Sequence, residues 1–330
     1  DEAEAQSCLA QSAKENDQLT LSFEKAMDLR YGENPHQNAI FYKNALPEED
    51  SLTEAVQLQG KELSYNNIAD TDAALQMLKE FSKPTVVAVK HANPCGIASA
   101  DTIEEAWRLA YEADSVSIFG GIVASNREIS GTMADEMRHI FLEVVVAPSI
   151  SEEAKIILGK KKNLRLLILP QAAKPFAEGH NSYKFVHGGL LVQNTDRTDF
   201  NMEDVHVVTE KNMEPGDFAR IRFAMRCVKH VKSNGICLTQ DFQTVGIGPG
   251  QPNRITAVQI ACTNAGEKTK GAIMASDAFF PFDDCVRYAA ENGVRLIVQP
   301  GGSVRDDESV AAANELGICM VFTGQRHFKH

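Results

Sequence analysis

Lys90 and His91 stand together at the end of the apolar run Val86, Val87, Ala88 and Val89, and Ala92, Asn93, Pro94, Cys95 and Gly96 follow them. A cation beside an imidazole suits charge stabilisation coupled to proton transfer near neutral pH. A surface lysine next to a hydrogen-bonded histidine would look the same from this stretch alone. Arg30 and Tyr31 head the polar loop 29–37, where Arg30 is either an anion fork or a solvated surface arginine. Phe279, Phe280 and Phe282 cluster beside Asp283 and Asp284, as a plug in the core or a stacking surface for a flat heterocycle. Residues 246–254, GIGPGQPNR, give G-x-G-x-G with two prolines, which argues against a dinucleotide cradle.

The elements that must carry these groups alternate between strand and helix. The β-branched run predicts a buried strand over 85–89, and ligands of open parallel sheets sit at the carboxyl ends of strands. Apolar spacing at 74, 75, 78 and 81 predicts a helix over 71–81, capped by Asp70 or Thr71. A turn at 93–96 then leads to a helix over 102–114, capped by Thr102. Gly120 and Gly121, inside an apolar run, mark a bulge, a tight turn or a close backbone approach. A strand is expected over 143–148 and a solvated basic patch over 155–162. The pattern loosens over 170–205, which sets the main boundary near 200. The second half repeats the rhythm with a helix over 218–231 and strands over 234–239, 272–276, 294–299 and 318–323. A further helix is expected over 307–316.

The chain has 330 residues, 43% of them hydrophobic, enough for one large or two smaller domains. Its net charge of −12 argues against non-specific nucleic-acid or anionic-membrane binding, so an anionic ligand needs a local cationic cluster. No two of the seven cysteines have zinc-ribbon spacing, and free thiols in a reducing cytoplasm are expected. There is no apolar run long enough to span a bilayer, and the acidic start lacks the features of a signal peptide. A cytoplasmic location follows. Residues 1–20 read as a linker or frayed segment, 21–200 as a first subdomain and 201–330 as a second.

Ten motifs then occur in a telling order: LRYGENPHQ (29–37), LSYNNIADTDAA (63–74), VKHANPCG (89–96), FGGIVA (119–124), GGLLVQ (188–193), VKSN (231–234), GIGPGQPNR (246–254), MASDAFFPF (274–282), QPGGSVRDD (299–307) and RHFKH (326–330). Over 22–330 the chain resembles the AICAR transformylase domain of the bifunctional purine biosynthesis family PurH. That family's N-terminal inosine monophosphate cyclohydrolase domain has no counterpart in the sequence, so only transformylase activity is expected. The resemblance implies an α/β fold of two duplicated cytidine-deaminase-like α/β/α subdomains. The zinc motif of deaminases is not expected, because His91-Ala92-Asn93-Pro94-Cys95 lacks the glutamate and second cysteine.

The same resemblance implies transfer of a formyl group from 10-formyltetrahydrofolate to the 5-amino group of AICAR. His91 would accept the proton, Lys90 stabilise charge, Asn234 orient the transfer, and Asp284 supply a carboxylate to the site. Arg30, Tyr31, Asn67, Gly120, Glu143, Phe279, Arg326 and Phe328 would hold the nucleotide. Val116, Phe119, Arg254, Ile255 and Ser303 would hold the folate, with Arg254 near its carboxylated tail. Asp277 and Ser233 could sit beside a structural potassium ion. The site is expected to be shared across a homodimer. Asn253 stands where many relatives have serine, which bears on one folate-side hydrogen bond. A metal-free hydrolase or deaminase relative acting on another purine nucleotide is a rival. So is a purine-nucleotide-binding module without catalysis.

Overall fold

The computed structural model describes residues 18–46, 50–176 and 179–330, so most of the expected N-terminal linker lies outside the described residues. In chain order, β1 (Phe23–Leu29) and β2 (Ala39–Asn44) form an exposed antiparallel hairpin. Then come β3 (Val56–Gln59), α1 (Tyr65–Leu78), β4 (Thr85–Lys90), β5 (Asn93–Ser99) and α2 (Ile103–Ala113). They are followed by β6 (Gly121–Ser125), α3 (Gly131–Met137), β7 (Leu142–Ala147), α4 (Glu152–Leu158) and β8 (Arg165–Ile168). A second exposed hairpin, β9 (Asn181–Val186) and β10 (Gly189–Asn194), precedes β11 (His206–Val207). The remainder is α5 (Asp217–Val228), β12 (Ile236–Gln240), β13 (Gln243–Gly248), α6 (Arg254–Ala265), β14 (Ile273–Ser276), α7 (Asp284–Glu291), β15 (Leu296–Gln299), α8 (Asp306–Glu315) and β16 (Cys319–Phe322).

One element order therefore occurs twice: strand, helix, antiparallel hairpin, then three helix–strand steps. The main sheet runs β11-β16-β15-β14-β12-β13-β5-β4-β6-β7-β8-β3, so its two halves mirror each other about the β13–β5 seam. Within each half the last three strands are parallel and the hairpin is antiparallel. The sheet is thus mixed rather than parallel, which corrects the expectation. β4 lies antiparallel between β5 and β6. At the seam, Ser99 N–H donates to the Phe242 carbonyl at 2.9 Å and Ile97 N–H to Thr244 Oγ1 at 2.9 Å.

Strand alternation divides the core into layers. Val87 and Val89 of β4 pack with the apolar faces of α1 and α5, while Val86 and Ala88 face Trp107 and the α2–α4 layer. In the second half Ile236 and Leu238 face the α6–α8 layer. Glycines let the helices approach closely. A Cβ on Gly96 would lie 2.0 Å from the Ala110 carbonyl of α2, and one on Gly248 would lie 1.9 Å from the Ala257 carbonyl of α6. Gly246 and Gly248 of GIGPGQPNR thus serve helix–sheet contact, while Gly250 takes a left-handed φ of 63°.

Several expected boundaries move. α1 begins at Tyr65, six residues before the expected start, because Ser64 and Asn67 close a capping box. The turn after β4 is His91 and Ala92, and Asn93 to Gly96 already belong to β5. Thr102 caps α2 as expected, with Glu105 N–H donating to its hydroxyl at 3.2 Å. The basic stretch 155–162 includes the end of α4, with Lys155 paired to Glu152 and Lys161 donating to the Ile140 carbonyl. Among the described residues no helix is long and apolar enough to cross a membrane, and the six described cysteines are free.

Asp199, in the segment before β11, ties that segment to α5. Its carboxylate accepts from Arg222 Nε at 2.9 Å and Arg226 Nη2 at 2.6 Å. Burial opposes ionisation, but these two guanidinium groups outweigh it and hold the Asp199 pKa down to about 2. A folded-state pKa below the unfolded value of about 4 gives stability that is present above pH 4 and lost as pH falls through 2. In urea titrations, the stability gap between wild type and Asp199→Asn is therefore expected to be full near neutrality and to close between about pH 4 and 2.

Candidate active site

All the expected site residues with a place in the main sheet lie along one rim. β4, β13, β14, β15 and β16 end there, while β6, β7, β8 and β12 begin there. They form two groups, one in each half.

In the first half, Lys90 closes β4 and its ammonium donates to the Phe119 carbonyl. Gly120, next to Phe119, takes φ 72°, a left-handed conformation that favours glycine. The Phe119 ring, 60% exposed, leans on Phe141 with centroids 5.3 Å apart. His91 projects from the turn into solvent. The Asp70 carboxylate accepts from its backbone N–H at 3.1 Å and from that of Ala92 at 2.8 Å. Asn67 is buried, with Oδ1 accepting from Ser64 N–H at 3.1 Å. Asn66 Nδ2 donates to the Glu33 carbonyl at 3.3 Å and brings the 29–37 loop to the start of α1. On that loop the exposed Arg30 stacks on Tyr31, 5.4 Å from its centroid. Glu143 opens the rim end of β7 and accepts from the buried Arg165 at 2.7 Å, so its charge is already paired.

A cavity of about 490 Å³ adjoins this group at the seam. Lys90, His91, Cys95 and Val116 line it from the first half, and Ile247 and Pro249 from the second. Burial and the neighbouring Asp114 charge push the Cys95 thiol up to about 12, which leaves it neutral and no nucleophile.

The second group surrounds a buried ion pair. Arg254 Nη1 donates to Asp277 Oδ1 at 2.5 Å and to Ser276 Oγ at 2.9 Å, and Nη2 donates to Asn234 Oδ1 at 2.6 Å. Asn234 Nδ2 donates to the Gln251 carbonyl at 2.8 Å, so the amide is oriented from both ends. Arg254 is 5% exposed and Asp277 fully buried. The expectation of Arg254 as a cation for the folate tail does not fit this geometry, since its guanidinium is committed inside the protein. The other oxygen of Asp277, Oδ2, accepts from Ser233 Oγ, so the carboxylate ties Arg254 to Ser233. Among the described residues no three His, Cys, Asp or Glu side chains gather as a metal site.

The three phenylalanines divide. Phe280 is core, whereas Phe279 and Phe282 are exposed and Arg305 stacks on Phe282 at 4.9 Å. Asp284, exposed, opens α7 and accepts from Cys285 N–H at 2.8 Å. Asn253 caps α6, accepting from Thr256 N–H at 2.9 Å, a role serine could also fill. Ile255 follows on α6 and Ser303 lies on the loop after β15, both half-buried.

The C-terminal tail alternates like a strand. His327 and Lys329 point inward, while Arg326 and Phe328 point outward with the guanidinium 4.4 Å from the ring centroid. His327 Nδ1 meets Asp196 Oδ2 at 2.7 Å, and His327 N–H donates to the Asp277 carbonyl at 2.9 Å. Lys329 Nζ donates to His230 Nδ1 at 3.4 Å, whose Nε2 donates to Glu80 at 3.0 Å. Burial lowers the His230 pKa, which keeps the ring neutral and able to play both parts.

A family model described as AICARFT/IMPCHase bienzyme matches residues 1–264, most of the chain. The chain belongs to this family. Within it, the chain is 57% identical over 94% of its length to the bifunctional purine biosynthesis protein PurH of Acetivibrio thermocellus. It is 52% identical over 95% to the PurH of Streptococcus uberis and 51% identical over 96% to that of Bacillus subtilis. It spans about 61% of the length of these AICARFT/IMPCHase relatives.

Proposed function

We propose that the chain is a phosphoribosylaminoimidazolecarboxamide formyltransferase of de novo purine biosynthesis. It transfers the formyl group of 10-formyltetrahydrofolate to the 5-amino group of AICAR, giving formyl-AICAR and tetrahydrofolate. The observation that carries the proposal is the Lys90–His91 pair on a clamped turn beside a 490 Å³ cavity, in a chain of this family.

The amine is a weak nucleophile, its lone pair drawn into the imidazole ring and carboxamide. His91 takes its proton as the C–N bond forms, and the resulting imidazolium protonates the departing folate nitrogen. Lys90 stabilises the oxyanion of the tetrahedral intermediate. Asn234, fixed by Arg254 and Gln251, orients the formyl group. Arg30 and Arg326 hold the phosphate as forked donors, which suits an otherwise acidic protein. Phe279 and Phe328 flank the base. Val116, Phe119, Ile255 and Ser303 receive the folate, with Arg254 acting on that side only through Asn234. Each half is a cytidine-deaminase-like α/β/α subdomain.

The site is shared between two copies of the chain. β4, which ends in Lys90, stands three strands from β12, which follows Asn234, or about 14 Å at the usual spacing. The 83% exposure of Val116 and 60% exposure of Phe119 fit surfaces completed by ligand or partner.

The test is to mix the purified protein with AICAR and 10-formyltetrahydrofolate and follow tetrahydrofolate by absorbance. Equimolar formation of formyl-AICAR and tetrahydrofolate, absent without either substrate, is expected. AICAR binding by calorimetry without turnover would replace the proposal by that of a nucleotide-binding module.

A further inference from the structure

His91 and Ala92 both occupy left-handed backbone, at φ 52° and 57°. A two-residue hairpin turn of this kind favours Asn-Gly, because a Cβ crowds the neighbouring carbonyl in that region. Two non-glycine residues hold it here because the turn is clamped on both sides. Asp70 Oδ2 accepts from His91 N–H at 3.1 Å and Oδ1 from Ala92 N–H at 2.8 Å, so each carboxylate oxygen takes one charge-assisted bond. Asn93 Nδ2 donates to the His91 carbonyl at 2.9 Å. Asp70 itself is carried by α1, which is locked to the sheet through the buried Ala74, Met77 and Leu78. The imidazole thus leaves an otherwise disfavoured turn whose geometry is imposed from a rigid helix.

We propose that Asp70 is a positioning residue for His91, its carboxylate holding the turn in the one conformation that brings the imidazole to the amine. The inference rests on the formyl-transfer proposal above and deepens it. Asp70 touches no reacting atom and acts through the backbone of the residues it holds. Preorganisation of this kind affects the transition state far more than substrate binding, since Arg30 and Arg326 grip the phosphate elsewhere.

The experiment measures kcat, KM for AICAR and Tm for wild type, Asp70→Ala, and Asp70→Ala combined with Ala92→Gly. Asp70→Ala is expected to lower kcat by on the order of 10- to 100-fold with KM changed by less than about threefold. Glycine adopts positive φ without crowding, so the added Ala92→Gly is expected to restore at least about fivefold of the loss. An active wild type whose Asp70→Ala variant keeps full kcat overturns the proposal alone. A joint fall of kcat and Tm that Ala92→Gly does not reverse makes Asp70 a folding residue and also overturns it. A wild type without turnover overturns the formyl-transfer proposal, and this one with it.

Discussion

His91→Ala is expected to lower kcat for formyl transfer by about two to four orders of magnitude, the usual contribution of a positioned base. AICAR affinity by calorimetry should change little, because the phosphate donors are other residues. Tm should also hold, since His91 is exposed and joins the hydrogen bonds of the turn through its backbone. Full activity in the variant would remove His91 from the mechanism. The variant also tests the shared site. With Asn234→Ala as the second inactive protein, subunit exchange forms mixed dimers in which one site regains both groups. About a quarter of the wild-type sites should return. Recovery below the detection limit, with exchange verified, would show that one chain supplies both residues.

The largest stability effect is expected at the Arg254–Asp277 pair. Asp277→Ala leaves a 5% exposed guanidinium without its counter-charge, a change that typically costs about 3–5 kcal/mol. For a chain of this size the fall in Tm is on the order of 10 °C. Turnover should fall as well, because Arg254 fixes the Asn234 amide at 2.6 Å. Replacing both partners by apolar residues, Arg254→Met with Asp277→Leu, removes the orphaned charge and should recover much of the stability but not the activity. A Tm unchanged in Asp277→Ala would mean that water or another anion compensates Arg254.

What local chemistry dictates was legible in the sequence. The β-branched run gave β4 and Thr102 gave the start of α2, which puts Lys90 and His91 at the end of a buried strand. What depends on distant partners was not legible. Asp70 and Thr71 resemble capping residues because short polar side chains compete with helical backbone. They sit instead within α1, where Asp70 reaches backbone 21 residues away and Thr71 is buried. The resemblance placed Arg254 at the folate tail, and nothing near it in the sequence shows that Asp277, 23 residues on and after a different strand, takes its guanidinium. In the exposed hairpins β1 and β9 gave no signal, since each turns almost no side chain inward and so carries no alternation of apolar and polar residues. The mirrored strand order also escaped a reading that had no repeated sequence period to follow.

The strand-to-strand seam also constrains any attempt to divide the chain. The joined sheet exposes only two lateral strands, and one of them, β11, is two residues long. Expressing either half by itself would uncover β5 or β13, long strands whose side chains are almost all buried in the intact protein. Each would then present an apolar ladder of unpaired backbone groups, the template on which chains aggregate. The two halves repeat one plan, yet each covers the inner strand of the other.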